Sequence, residues 1–192
     1  MTILKRIPRV INPKLLFALA SMGHGDELVL ADANFPSAST AKHTTMGEAI
    51  RIDGTSIPEL LTAIMELLPL DPVAKSGIFM EMMPEHKAAG WKTPIWDTYK
   101  GIIVAANGPT EFEEVERFAF YERAKKAYCV VATGETALYG NLILKKGCVA
   151  RSQSSRCAAA AHPVAAHPRA AHWPRCPTLP TLFTPSVQDH WL

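Results

Sequence analysis

Apolar positions recur at helical spacing in four stretches of the chain and form short unbroken runs in four others. Asn12-Pro13 reads as a helix start, with the asparagine as N-cap and proline in the first turn. Leu15, Leu16, Ala18, Leu19 and Met22 then share a face, and Gly23 is expected to close the helix. Glu27 to Ala31 predicts a short buried strand, and residues 36–49 predict a mobile loop. Ser56 and Glu59 have the spacing of a capping box for a helix through Leu60, Leu61, Ile64, Leu67 and Leu68, which Pro69 helps to end. Residues 77–83 read as a strand, 97–106 as a helix closed by Gly108, and 112–118 as an ambiguous segment with some strand character. Residues 120–127 predict a helix in which Glu122 and Lys126 form an i,i+4 pair. Residues 128–133 and 142–144 predict strands on either side of a loop at Gly134-Glu135. Strands alternating with helices indicate an α/β class, a single domain with a central sheet flanked by helices.

The pattern changes after Gly147-Cys148, where an Ala-Ala-His unit recurs every five residues, a spacing that belongs to neither helix nor strand. Six of the 15 prolines lie beyond residue 160, so residues 148–192 are expected to be a disordered low-complexity tail. His162, His167 and His172 recur in it, and metal capture is the minor reading of that composition. The tail holds four arginines and one acid, so a formal net charge of +2 for 192 residues leaves residues 1–148 at −1. A body so balanced has no basic field for nucleic acid. No run reaches 18 apolar residues, so no membrane span is expected, and the basic N-terminus lacks the apolar stretch of a signal peptide. The four cysteines form no CxxC pair and no zinc spacing; with Cys129 inside an apolar run, a reducing, cytoplasmic setting is expected.

Three clusters carry candidate chemistry. His24 lies between two glycines ahead of the strand that Asp32 follows, so ionisable groups stand at both ends of that strand. Glu116-Arg117 and Phe120-Tyr121 form the second cluster, and the turn at 133–141, with Tyr139 and Asn141, forms the third. Each alone has a plain structural explanation: a solvated turn histidine, a core aromatic with its hydroxyl at the rim, a bare turn. No GxGxxG, P-loop or HExxH motif occurs, so no nucleotide or metal cofactor is expected.

Taken together, MGHGDELVLADANFP (22–36), IPELLTAIMELLPLD (57–71) and ERFAFYERAKKAYCVVATGETALYGNLILKKG (116–147) resemble the RbsD/FucU family of sugar mutarotases, in its fucose branch. The resemblance covers residues 1 to about 147 and implies an RbsD-like domain with the family's end near the KKG at 145–147. It implies an isomerase that interconverts the α- and β-anomers of L-fucose without a cofactor, by acid/base-assisted opening and reclosure of the pyranose ring. Under it, His24 is the acid/base residue, with Tyr121 and Tyr139 beside the anomeric centre as catalytic phenols. Asp32, Asp71, Met80, Arg117 and Asn141 are its substrate contacts, and the assembly is a homo-oligomer with sites between subunits. L-fucose carries a methyl group, for which Met80, Trp91 or Trp96 offers an apolar wall; a core role for each is the alternative. The other readings are a pyranase-type enzyme acting on ribose and a sugar-binding protein without catalysis.

Overall fold

The computed structural model describes residues 4–149. Residues 150–192 of the tail expected to be disordered, with its three recurring histidines, lie outside the described residues. The elements in chain order are α1 (Pro13–Ser21), β1 (Glu27–Ala31), α2 (Ser37–Ala41), β2 (Ile50–Ile52), α3 (Ile57–Met65), β3 (Gly77–Met80), α4 (Pro84–Ala88), α5 (Pro94–Asn107), β4 (Phe112–Val115), α6 (Arg117–Lys125), β5 (Cys129–Thr133) and β6 (Leu142–Lys145). The strands form a single six-stranded sheet in the order β2-β5-β1-β6-β3-β4. β6 runs antiparallel to both β1 and β3, while the other neighbours pair in parallel. Five strands therefore point one way, and their carboxyl ends gather along one edge of the sheet. In open α/β sheets that edge is where ligands bind.

Alternating side chains divide the core in two, as the two-residue period of a strand requires. Leu28 and Leu30 of β1, Phe79 of β3, Cys129 and Val131 of β5, and Leu142 and Leu144 of β6 pack under α1, α3 and α5. Val29, Ala31, Ile78, Met80, Val130 and Ile143 face the other way, toward Ala41 of α2 and Phe120 and Ala124 of α6. Burial on both faces explains the continuous apolar runs of β1, β5 and β6. The Cys129 thiol, enclosed between strands, is pushed up to about 12 by burial, which makes it an inert core group. Arg123 fastens α6 to the sheet: its guanidinium donates to both oxygens of Glu27 on β1, at 2.6–3.1 Å, and to Glu113 on β4 at 3.1 Å. Among the described residues, no helix is long and apolar enough to cross a membrane.

Several local expectations need correction. Asn12 does cap α1, accepting the Leu15 N–H at 2.8 Å, but the helix ends through Met22 in an extended conformation and not on a left-handed Gly23. The segment 36–49 is more than a loop: it contains α2, whose Ser37, Thr40 and Ala41 are buried against the sheet. The capping box at Ser56 does not form. The Glu135 carboxylate, 78 residues downstream, accepts the Ile57 N–H at 3.2 Å in its place. Glu122 pairs with Lys125 at 2.6 Å and not with Lys126, since the helix ends at Lys125 and removes the i,i+4 geometry. The ambiguous stretch 112–118 divides into β4 and the first turn of α6, whose N-cap Glu116 accepts the Phe118 and Ala119 N–H groups. The strand expected over 77–83 stops at Met80, and β2 and α4 have no counterpart in the sequence pattern.

Candidate active site

At the carboxyl edge of the sheet, β1 delivers Asp32 beside Asn141, which precedes the antiparallel β6. The two residues bond twice: the Asp32 N–H donates to Asn141 Oδ1 at 2.9 Å, and Asn141 Nδ2 donates to Asp32 Oδ2 at 2.7 Å. The other Asp32 oxygen accepts the Asn34 N–H at 2.9 Å. Both residues are buried. Burial raises the Asp32 carboxyl above its ordinary value, the Glu135 charge pushes in the same direction, and the N–H donors of Asn34, Phe35 and Asn141 offset part of this. Asp32 also lines a cavity of about 600 Å³ with Phe35, Ser37, Arg51 and Thr133.

This pairing is directional, and it yields a stability prediction. Both carboxylate oxygens accept, and the Asn141 amide is fixed in orientation because its oxygen is already engaged by the Asp32 N–H. Asp32→Asn would turn an NH₂ toward a donor, leaving a mispaired buried group, and is expected to lower stability by about 1–3 kcal/mol in thermal or urea melts. Asn141→Asp would instead set two carboxylates against each other, raising the pKa of the pair above the unfolded values. A carboxyl held up in this way stabilises the fold below the unfolded pKa and loses that contribution as pH rises through the folded value. The variant should therefore approach wild-type stability in acid and fall away from it toward neutral pH. A deficit that does not change with pH would contradict the geometry.

Met80, the last residue of β3, is buried beside the same edge, one position beyond the Phe79–Leu142 register pair. Tyr139 lies in the turn before Asn141 with φ at +58°, an uncommon conformation for a residue with a side chain. Three contacts hold it there. Its carbonyl accepts the Trp96 indole N–H at 2.8 Å, and its hydroxyl lies 2.6 Å from His86 Nδ1 and accepts the Met83 N–H at 3.3 Å. The neighbouring Gly140 carbonyl accepts the buried Tyr99 hydroxyl at 3.1 Å, so the whole turn is tied to α5. Tyr121 of α6 packs on Phe35 with ring centroids 5.4 Å apart, and both Tyr121 and Tyr139 sit against the core cluster that holds Met80. Arg117, at the start of α6, places a guanidinium nitrogen 3.4 Å from the Met83 sulfur, and both residues line a cavity of about 320 Å³. Trp96 is buried and stacks on Phe79 as a core residue, whereas Trp91 is exposed and lies over His86.

His24 and Asp71 stand elsewhere. They meet at the opposite edge of the sheet, where β1 begins and β6 ends, with His24 Nε2 3.4 Å from Asp71 Oδ2. The Asp71 carboxyl is held below its ordinary value, first by the N–H of Val73 and then by that of Ala74, with His24 and Lys145 adding positive charge. The His24 side chain is 60% exposed and faces solvent. The five residues of β1 lie between it and Asp32, and that strand alone spans roughly 13 Å at about 3.3 Å per residue step. A single chain therefore brings together Asp32, Met80, Tyr121, Tyr139, Asn141 and Arg117 around one edge, and His24 with Asp71 at the other. His86 has no sequence signal, because it lies in a polar segment 53 residues from its hydrogen-bonding partner.

Comparison with known proteins adds a second line. The model of the RbsD / FucU transport protein family matches residues 5–149. The chain is 57% identical over 149 residues to the fucose mutarotase of Danio rerio, covering 78% of this chain and 96% of that one. To the Homo sapiens fucose mutarotase it is 53% identical over 151 residues, covering 78% and 97%. Among solved structures, the fucose mutarotase of Streptococcus pneumoniae in complex with L-fucose matches with a TM-score of 0.68 and 49% identity, across 77% of this chain and 100% of that one.

Proposed function

The chain belongs to the RbsD/FucU family, and from that premise we infer that it is an L-fucose mutarotase, an isomerase interconverting the α- and β-anomers of the sugar. The observation that carries the reading is the doubly bonded Asp32–Asn141 pair beside Tyr139, in a chain 57% identical to a fucose mutarotase. A carboxylate and an amide locked together present fixed acceptors and donors, the arrangement that orients vicinal sugar hydroxyls. Ring opening requires a proton to leave the anomeric hydroxyl and another to reach the ring oxygen. Histidine and phenol groups can exchange both. In this reading His24 is the acid/base residue, and Tyr121 and Tyr139 flank the anomeric centre. Asp32, Asn141 and Arg117 hold hydroxyls and Met80 lies against the methyl group; Asp71, expected among the substrate contacts, lies 3.4 Å from His24 and orients it instead.

His24 and Asp32 cannot reach one pyranose ring from the same chain, and that separation supports a homo-oligomer whose sites form between subunits. The His24–Asp71 edge of one protomer then completes the Asp32–Tyr139–Asn141 edge of its partner. Phe17, Phe118 and Leu138, large apolar side chains more than half exposed, are suited to burial in such contacts. Residues 1–147 carry the function in this reading.

Saturation-transfer NMR of L-fucose with the full chain, and with a chain ending at Gly147, tests it. Both are expected to accelerate anomer exchange, and more for fucose than for ribose. Faster exchange of ribose would favour the pyranase reading, and fucose binding without exchange would favour a sugar-binding protein.

A further inference from the structure

The Tyr139 hydroxyl has one proton to donate and two lone pairs to accept with. The Met83 N–H occupies one lone pair at 3.3 Å, and His86 Nδ1 lies 2.6 Å away, close enough to take the proton. The other lone pair is left for a third group. His86 is itself held in place: its ring stacks on Trp91 with centroids 4.0 Å apart and planes 9° from parallel, and it meets the Tyr139 ring edge-on at 5.8 Å. The phenol cannot drift from this partner, because the Tyr139 carbonyl is fixed by Trp96 and the turn by Tyr99. α4, which carries His86, buries none of its residues, so core packing does not account for the histidine.

We propose that His86 is a positioning residue for the isomerisation, acting through Tyr139: by accepting the phenol proton at Nδ1 it makes the Tyr139 oxygen an acceptor for the sugar's anomeric hydroxyl. The proposal rests on the reading of Tyr139 as a group that faces the anomeric centre. In the opening step the anomeric O–H gives its proton to Tyr139 as Tyr139 passes its own to His86 Nδ1. The electron pair of that O–H bond forms the aldehyde C=O, and the bond from the anomeric carbon to the ring oxygen breaks. Its electron pair stays on the ring oxygen, which takes a proton from His24 of the partner subunit. After rotation about the bond between the aldehyde carbon and its neighbouring carbon the same transfers run backwards and restore both histidines. No oxidant, reductant or co-reactant is needed. Without His86 the phenol proton has no base to move to, and Tyr139 can accept a hydrogen bond from the anomeric hydroxyl but cannot take its proton.

Anomer exchange measured by NMR with the full chain, its His86→Gln and Tyr139→Phe variants and the double variant tests this. His86→Gln is expected to lower kcat at least roughly tenfold, less than the loss of a group in direct contact, with KM within about twofold of wild type. On the Tyr139→Phe background the same change should have no further effect, since His86 acts only through that hydroxyl. An unchanged kcat, or an equal loss on both backgrounds, would overturn the proposal; matching melts of wild type and variants exclude a folding defect. The imidazole ¹⁵N shifts provide a readout independent of turnover. Nδ1 should report as an unprotonated acceptor that moves on Tyr139→Phe, and an Nδ1 that carries the proton in wild type and does not move overturns the contact. A wild-type chain that fails to exchange fucose anomers would refute the functional reading, and the ¹⁵N result would still decide the His86–Tyr139 link.

Discussion

His24→Ala is expected to lower catalysed exchange of the fucose anomers by roughly 10²–10⁴-fold, the range for losing one positioned acid/base group. The fold should not register the change. The side chain is 60% exposed, and its pairing with Asp71 across 3.4 Å lies at the solvent edge, where ion pairs contribute little. A melt within about 0.5 kcal/mol of wild type would therefore accompany near-complete loss of activity. Full activity in this variant would remove His24 from the mechanism. It would also confine the chemistry to the Asp32–Tyr139–Asn141 edge.

The second large effect is a recovery. His24→Ala and Asn141→Ala should each be nearly inactive alone, and mixing the two, with subunit exchange through mild denaturation, should restore activity. Sites built between protomers pair the His24 edge of one chain with the Asn141 edge of another. A random mixture gives both intact edges in about a quarter of the sites, by the same symmetry argument. Recovery to about a quarter of wild-type exchange is expected, measured by NMR after re-assembly. If each site were complete within one chain, every site in the mixture would carry a lesion and activity would stay at the level of the separate variants.

Much of this architecture is legible locally. Asn12-Pro13 announces α1, Gly108 with its positive φ closes α5, and the runs ELVLA and CVVAT are strands because both faces of the sheet are covered. Local pattern fails where the decisive partner is remote. Nothing near Ser56 shows that Glu135 takes over its capping role, and nothing near His86 shows that Tyr139 comes to meet it. β2 has three residues and α2 and α4 five each, too short for a period to register. The roles of the candidate residues rest on the resemblance to a family, because each cluster alone has a plain structural explanation. Their spatial division follows from strand direction: His24 enters β1 and Asp32 leaves it, so five residues of strand hold them apart.

The position of β6 has a consequence for how the chain comes to be folded. Its pairings with β1 join residues more than 110 positions apart, Leu28 with Leu144 and Leu30 with Leu142. Until residue 145 has left the ribosome, β1 and β3 each lack a neighbour, and synthesis at about 5–20 residues per second leaves those edges open for several seconds or more. Non-local strand pairing of this kind slows folding and leaves apolar strand edges open to other chains. The molecule is therefore most prone to aggregate just before its last strand is made, and a nascent chain stalled ahead of Leu142 would be a preferred client for chaperones.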